Sequence, residues 1–279
     1  MRHCFLWIRA LAAALATVVA AAPVAPSAAD ADGARRGYDG VLDTRVRDGW
    51  VYYRALKADR GALDRYVASL AEASAAGSRQ EQIAFWLNAY NALVLRAVID
   101  HYPIAPSTPS FPPRSIRQIA GVFDHQAQRV AGRTLTLDQI EQTILAPFHD
   151  PRIFLALGRG AAGSGRLRSE IYSADLLERQ LAGQSAECAS RDRCVRIDRA
   201  TNSVRVSAIF SWRRAEFVEA YASGAGSAFA RRSPADKAVI GFLEPQLAAA
   251  DRDVLARNRF KVEYLPFDWS LNDLASRRR

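Results

Sequence analysis

The stretch IAFWLNAYNALVLRAVIDHYP, residues 83–103, decides the fold of this chain. Its apolar side chains fall on nearly every side of a predicted helix over residues 82–100, and a helix of that kind is buried. Asn88 and Asn91 lie three positions apart on one face of it. Because buried amide groups need hydrogen-bond partners, we expect these two either to hold a neighbouring loop or to line a pocket.

Around this helix the sequence predicts a mixture of helices and short strands. Upstream, YDGVLDTRVRDGWVYYRAL predicts a helix, a turn at residues 48–49, a short strand and a second helix. Downstream of a proline-rich loop, a capping box at residues 136–139 begins a helix that ends at Pro147. The apolar residues 152–157 predict a buried strand, and VRID with VRVSAIF predicts a hairpin. We therefore predict a single α+β domain whose helical N-terminal half packs on a small, mainly antiparallel sheet.

The N-terminus has the layout of a secretory signal peptide. Arg2 and Arg9 give a basic start, an apolar run rich in Ala, Leu and Val follows over residues 10–22, and Ser27-Ala28-Ala29 offers a small-residue cleavage site. That run is shorter than the roughly 18 residues expected of a membrane span. The alternative is an uncleaved N-terminal anchor.

These features divide the chain into four predicted parts. We predict a signal peptide over residues 1–29, a disordered leader over 30–37, one domain over 38–273 and a basic C-terminal tail over 274–279. On this interpretation the protein is exported, either to the periplasm or out of the cell, and it is not an integral membrane protein.

Cys188 and Cys194 are the two cysteines that would remain after such a cleavage. In an exported protein, a pair of cysteines is more often a disulfide than two reactive thiols. We therefore predict a bond between them, at the entrance to the predicted hairpin. The pair lacks CxxC spacing and the histidines His101, His125 and His149 are scattered, so the sequence predicts no metal site and no cofactor.

The net charge of +9 comes mainly from arginine. Basic surfaces can attract nucleic acid, anionic lipid or acidic polymers. Here the arginines are scattered and no basic run is interleaved with aromatic residues, which favours an ordinary solvated surface. Export argues further against a nucleic-acid partner. An anionic component of the cell envelope stays open as a partner.

Residues 158–163 spell G-x-G-x-x-G directly after an apolar segment, which is the pattern of a dinucleotide-binding loop. The context does not fit, because no alternating series of strands and helices precedes the loop. Ser164-Gly165-Arg166 is also a poor start for a helix. We expect these glycines to let the backbone turn sharply rather than to bind a nucleotide.

Seven segments in a fixed order resemble the family known as domain of unknown function 547. The segments are YDGVLD, FWLNAYNALVL, LTLDQIE, DPRIFLAL, IYSADLLERQL, VSAIFSWRRAEF and FKVEYLPFDWSLND. The resemblance implies an α+β fold, of cysteine-protease or transglutaminase type. In members that carry a Cys and a His, it also implies thiol chemistry, since a His that shares the proton of a Cys turns it into a thiolate.

The chain departs from the pattern of that family at the positions that would carry this chemistry. Gln142 stands where a His is usual, and Phe154 stands where a second His is found. Ser164 replaces the loop Cys, and Arg159 stands where some members have another Cys. Glutamine cannot accept and return a proton, and a serine hydroxyl needs a base beside it to act as a nucleophile.

Three hypotheses follow for the candidate positions Gln142, Ser164, His149 and Glu141. The first is a catalytically degenerate member that keeps the fold for binding or structure, and the sequence favours this one without assigning a catalytic residue. The second is a hydrolase or acyl transferase that uses Ser164, with His149 as the nearest histidine. The third is acid–base chemistry by Glu141 or Asp150, although a helix-face charge and a turn residue are the ordinary roles of these two.

Overall fold

The computed structural model describes residues 28–277, which form an α+β arrangement of helices around three small sheets. The elements of the N-terminal half are α1 (Ala28–Arg45), β1 (Val46–Arg47), β2 (Trp50–Val51), α2 (Tyr53–Ala58), α3 (Gly61–Ser69), α4 (Arg79–His101), β3 (Gln128–Val130), β4 (Arg133–Leu135) and α5 (Leu137–Gln139). The remaining elements are α6 (Arg152–Ala156), α7 (Leu177–Ala189), β5 (Val195–Asp198), β6 (Ser203–Ser207), α8 (Ala208–Trp212), α9 (Arg214–Tyr221), α10 (Pro234–Leu243), α11 (Ala249–Ala256), β7 (Lys261–Leu265) and α12 (Leu274–Arg277). A π-helix over Ile140–Leu145 follows α5, and short 3₁₀ turns join several of the other elements.

The central helix α4 confirms the prediction made from residues 83–103. Ser78 caps it, since its Oγ accepts from the Glu81 N–H at 3.3 Å while the Glu81 carboxylate accepts from the Ser78 N–H at 2.7 Å. Within residues 28–277 it is the one helix long and apolar enough to cross a membrane, and 78% of that window is buried inside the protein. This burial is what a core helix shows.

Asn88 and Asn91 hold loops, the first of the two roles predicted for them. The Asn88 amide exchanges two hydrogen bonds with the backbone of Tyr172, at 2.8 and 2.9 Å. The Asn91 amide donates to the Ala156 carbonyl at 3.2 Å and accepts from the Gly158 N–H at 2.8 Å. One face of α4 therefore fixes the start of the Gly-rich loop.

The prediction of a disordered leader over residues 30–37 is wrong, because α1 includes all of them. The helix is anchored further along, where the Tyr38 ring stacks on Tyr66 at 4.4 Å and Leu42 is buried one turn later. The Ala- and Arg-rich residues before this anchor have high helix propensity, so the helix extends back through them. The predicted signal peptide lies outside the described residues, apart from Ala28 and Ala29. A cleavage after Ala29 would shorten α1 only at its first turn.

The predicted turn at residues 48–49 and the predicted hairpin are both present. β1 and β2 pair around Asp48 and Gly49, which both have positive φ, as a two-residue type I′ turn requires. β5 pairs antiparallel with β6, and β6 pairs in parallel with β7, which completes the three-stranded sheet. The sheets are therefore mainly antiparallel, with one parallel pair formed by a strand from the C-terminal part of the chain.

Residues 152–157 do not form the predicted strand. Residues 152–156 are the helix α6, and Leu157 is the extended residue that follows it. The segment is buried on all sides, and a continuous apolar run carries no period that separates a strand from a helix. The Asp150 carboxylate accepts from the Arg152 N–H at 3.1 Å and so caps the first turn of α6.

The C-terminal segment fixes the Gly-rich loop from the other side. Ala162 N–H donates to the Ser270 carbonyl and Gly163 N–H to the Asp268 carbonyl, both at 2.8 Å. Gly165 lies so close to the Leu155 carbonyl that a Cβ at this position would stand 1.6 Å from its oxygen. Within the G-x-G-x-x-G pattern, Gly160 has a positive φ, and a Cβ at Gly163 would stand 2.7 Å from the Asp268 nitrogen. These glycines therefore serve a turn of the backbone and its close packing, and the loop lies between two cavities.

Candidate functional site

Two cavities flank the Gly-rich loop and share its backbone as a wall. The Glu141 cavity, of about 170 Å³, is lined by Tyr90, Arg117, Phe123, Asp138, Glu141, Gln142, Arg159, Trp212, Arg213 and Trp269. The Ser164 cavity, of about 50 Å³, is lined by Asp48, Gly49, Trp50, Ala161, Ala162, Ser164, Gly165, Arg166, Gln184, Glu187, Cys188, Arg191, Arg193, Cys194 and Asn272. Arg159 lines the first cavity and Ser164, only five residues later, lines the second.

The floor of the Glu141 cavity is a buried cluster of three charged side chains. Glu141 lies in the first turn of the π-helix, a rare element that is often found at functional sites. Its Oε1 accepts from Arg159 Nη2 at 2.8 Å and from Arg213 Nη2 at 2.6 Å. The side chains of these three residues are between 4% and 9% exposed, so each needs the others as partners.

The cluster is ionised at neutral pH. Burial alone would raise the pKa of the Glu141 carboxyl, but Arg159 and Arg213 together outweigh it and lower that pKa below its ordinary value. Burial would lower the pKa of Arg159, and the charge of Glu141 reverses this and raises it. Two guanidinium groups and one carboxylate leave the floor with a net positive charge.

Three of the four positions at which relatives are expected to carry His or Cys converge on Arg213. Gln142 Oε1 accepts from Arg213 Nη1 at 2.8 Å. The Phe154 ring lies beneath the Arg213 guanidinium, 4.0 Å from its central carbon to the ring centre. Arg159 shares the Glu141 carboxylate with Arg213 and donates to the Phe154 carbonyl at 3.2 Å. Positions 142, 154 and 159 therefore form one site, and here that site contains no thiol and no imidazole.

Ser164 lies on the far side of the loop from Gln142. Its Oγ accepts from the Arg159 N–H at 3.0 Å, and its own N–H donates to the Ala161 carbonyl at 3.1 Å. Both bonds close the turn of the loop. Within residues 28–277, no histidine lines either the Ser164 cavity or the Glu141 cavity.

His149 is placed apart from both cavities. Its Nδ1 lies 3.2 Å from the Glu219 carboxylate, and both side chains are more than half exposed. It lines a separate surface depression with Arg152 and Tyr221. The structure therefore does not bring His149 and Ser164 together in one cavity.

The Ser164 cavity contains charges of a different kind. Arg166 pairs with Glu187, and Asp48 is within ion-pair distance of Arg166, Arg191 and Arg277. These side chains are between 26% and 50% exposed. The predicted bond between Cys188 and Cys194 is present and forms part of the wall, linking the end of α7 to the segment before β5.

Sequence reasoning missed Arg213, the residue on which the site converges. A signal for it exists, because Ile209, Arg213 and Phe217 are spaced four residues apart and the two apolar members are buried. A cation on an otherwise buried face needs a buried partner. The sequence does not say that this partner is Glu141, which is 72 residues away.

No group of three or more His, Cys, Asp and Glu side chains that could hold a metal ion occurs within residues 28–277. The guanidinium groups of the Glu141 cavity are instead suited to anions, because their fixed fork of N–H donors matches a carboxylate or phosphate.

Comparison with protein families gives a match over part of the chain. Residues 75–187 match the family described as "Protein of unknown function, DUF547". Over these residues the chain is similar to DUF547 proteins. The match includes Glu141, Gln142, Phe154, Arg159 and Ser164 and ends before Arg213. No curated protein and no solved structure matches the chain.

Proposed function

We propose that this protein is an exported, catalytically degenerate DUF547 protein that binds a small anionic ligand in the Glu141 cavity. The observation that carries the proposal is the convergence of Gln142, Phe154 and Arg159 on Arg213. Three of the four positions at which relatives are expected to carry His or Cys lie close together, and here they are occupied by groups suited to hold an anion.

The groups on the floor of this cavity are poorly suited to acid–base or nucleophilic chemistry. Arginine stays protonated in proteins, and an amide neither gains nor loses a proton near neutral pH. Glu141 is held ionised by two guanidinium groups, so its basicity is reduced. This also argues against acid–base catalysis by Glu141.

The same groups are suited to binding. Arg213 Nε is buried and has no hydrogen-bond partner among the described residues. A buried donor without a partner costs stability, so the hydrogen-bonding capacity of the Arg213 guanidinium is not fully used within the protein. Arg117, which also lines the cavity, adds a further positive charge at the mouth.

Export is supported by the N-terminal pattern and by the Cys188–Cys194 disulfide, since such bonds persist in oxidising compartments. N-terminal sequencing of the protein from its native cell is expected to start at Asp30. A start at Met1 would contradict export by a cleaved signal peptide.

The alternative is a hydrolase or acyl transferase that uses Ser164. Its nucleophile would have to be activated inside the Ser164 cavity, where the carboxylate of Glu187 is already paired with Arg166. The hydroxyl already serves the turn of its own loop. These contacts give the alternative less support than the binding proposal.

Calorimetric titration of the protein with sodium acetate and with sodium sulfate tests the anion site. We expect saturable binding that Arg117→Gln weakens by about twofold to fivefold at low ionic strength, because one charge at the mouth is lost. Arg114→Gln is the matched control, since Arg114 is an exposed arginine three residues away that lines a different depression. No saturable binding up to about 50 mM of either anion, far weaker than a millimolar site, would overturn the proposal.

A further inference from the structure

Aromatic rings form a wall at the mouth of the Glu141 cavity. The rings of Trp212 and Trp269 lie nearly parallel with centres 6.1 Å apart, and Phe267 contacts both, at 4.8 and 4.5 Å. Trp212 is 46% exposed, and within residues 28–277 only it and Tyr52 are exposed large hydrophobic side chains. An aromatic face left open beside a cavity offers an apolar platform for a ring of the ligand.

Two polar side chains at the edge of the cavity have hydrogen-bonding capacity to spare. The Asp138 carboxylate accepts no hydrogen bond from the described part of the chain, although it faces the cavity. Burial raises its pKa, which is the consequence of a carboxyl group with too little solvation. The Gln142 side chain is exposed; its amide oxygen accepts from Arg213, and its nitrogen has no acceptor within residues 28–277 and is free to donate to a ligand. Acceptors and donors side by side match the hydroxyl groups of a polyol.

The charge and the size of the cavity restrict the ligand further. Arg117, Arg159 and Arg213 face Asp138 and Glu141, so one positive charge stays unbalanced when both carboxylates are ionised. A volume of about 170 Å³ is below the roughly 300 to 1,000 Å³ of pockets that hold drug-sized ligands. The cavity therefore accepts one ring that carries one acid group.

On the basis of the proposed function, we infer that the ligand is a single acidic sugar ring, a hexuronic acid unit, whose carboxylate is held by the arginines and whose apolar face lies on Trp212. Its hydroxyl groups satisfy Asp138 and Gln142. An aromatic acid fits the arginines and the rings equally well, but its apolar edge offers no donor to the partly buried Asp138 carboxylate, which costs free energy.

Calorimetric titrations with D-glucuronate, D-glucose and benzoate separate the contribution of the acid group from that of the hydroxyl groups. D-Glucuronate should bind at least about tenfold more tightly than either of the others, because glucose lacks the acid group and benzoate lacks the hydroxyl groups. Trp212→Ala should weaken the binding of glucuronate by about threefold to tenfold through loss of the stacking face. Tyr52→Ala is the control, since Tyr52 is equally exposed and does not line the cavity.

Asp138→Asn keeps the shape of the side chain and should weaken glucuronate binding while leaving acetate binding unchanged or stronger. Benzoate that binds as tightly as glucuronate would overturn the sugar ring but keep the anion site. The same holds if acetate binds and glucuronate does not. Glucuronate binding that is insensitive to Trp212→Ala would overturn the placement on the aromatic wall. Failure of acetate, sulfate and glucuronate together would remove the anion site itself.

Discussion

The two cavities on either side of the Gly-rich loop differ in how their charges are held. In the Glu141 cavity, the side chains of Glu141, Arg159 and Arg213 are at most 9% exposed and share one carboxylate oxygen. In the Ser164 cavity, the side chains that form the ion pairs of Asp48 and Arg166 are between 26% and 44% exposed. Buried charges must be paired to be tolerated, whereas exposed pairs contribute little. The difference indicates that only in the Glu141 cavity are the charged side chains held in place by burial and by one another.

Removal of one carboxylate from each cavity tests this difference most strongly. Glu141→Ala leaves two buried guanidinium groups without a partner and should lower the free energy of unfolding by about 3–5 kcal/mol. Asp48→Ala removes a carboxylate from exposed pairs and should lower it by about 1 kcal/mol or less. Urea unfolding followed by circular dichroism measures both. Equal losses for the two variants would mean that the cavities do not differ in this way.

Around the Ser164 cavity, the Cys188–Cys194 disulfide is expected to contribute more to the free energy of unfolding than the ion pairs do. The double change Cys188→Ser with Cys194→Ser should lower the free energy of unfolding by about 2–3 kcal/mol, as the chain-entropy account gives for a short loop. Reduction of the wild type should have the same effect. Mass spectrometry of non-reduced peptides should show a deficit of two hydrogens, and two freely alkylated thiols in the protein isolated from its native cell would contradict the bond.

Acidic pH should also reduce the stability that the Glu141 cavity contributes. The pKa of Glu141 is lowered in the folded protein, because its arginines outweigh the opposing effect of burial. Its contribution to stability is therefore present above the ordinary glutamate pKa of about 4.3 and is lost as the pH falls through the lowered value. Glu141→Gln should lose less stability than the wild type between neutral pH and this acid range. A parallel decline of the two proteins, measured as urea midpoints against pH, would refute the assignment.

The part of the structure that could be predicted from the sequence is the part governed by neighbouring residues. The helix α4 with its Ser78 cap, the hairpin at Asp48 and Gly49, and the Cys188–Cys194 bond follow local patterns. The helix α6 was missed, because a run buried on every side has no period.

The site itself was not predictable as a whole. Gln142 and Glu141 were identified as candidates, but their partner Arg213 belongs to a segment about 70 residues further along. Ser164 was identified as a further candidate, and it lies in the same loop as Arg159. Only the fold reveals that the backbone turns between these two residues and directs them into different cavities.

Introduced thiols can show on which side of the loop a cysteine would meet a histidine at position 142. Gln142→His with Arg159→Cys places a thiol and an imidazole in the Glu141 cavity, whereas Gln142→His with Ser164→Cys separates them. A thiol beside a His has a lowered pKa, so the first variant should react with iodoacetamide about tenfold faster at pH 6 than the second. Circular dichroism of both variants checks their folding. Faster reaction of the Ser164→Cys variant would instead place that position opposite residue 142.

The most direct test of the central claim, that this protein binds without an activated nucleophile, is labelling of the wild type by a fluorophosphonate serine probe. General-base help is typically worth about 10² to 10⁴ in rate, and Ser164 has no imidazole in its cavity to supply it. We predict that the native protein is labelled no more than the Ser164→Ala variant. Labelling of the wild type that disappears in Ser164→Ala would contradict the binding account and establish the serine enzyme in its place.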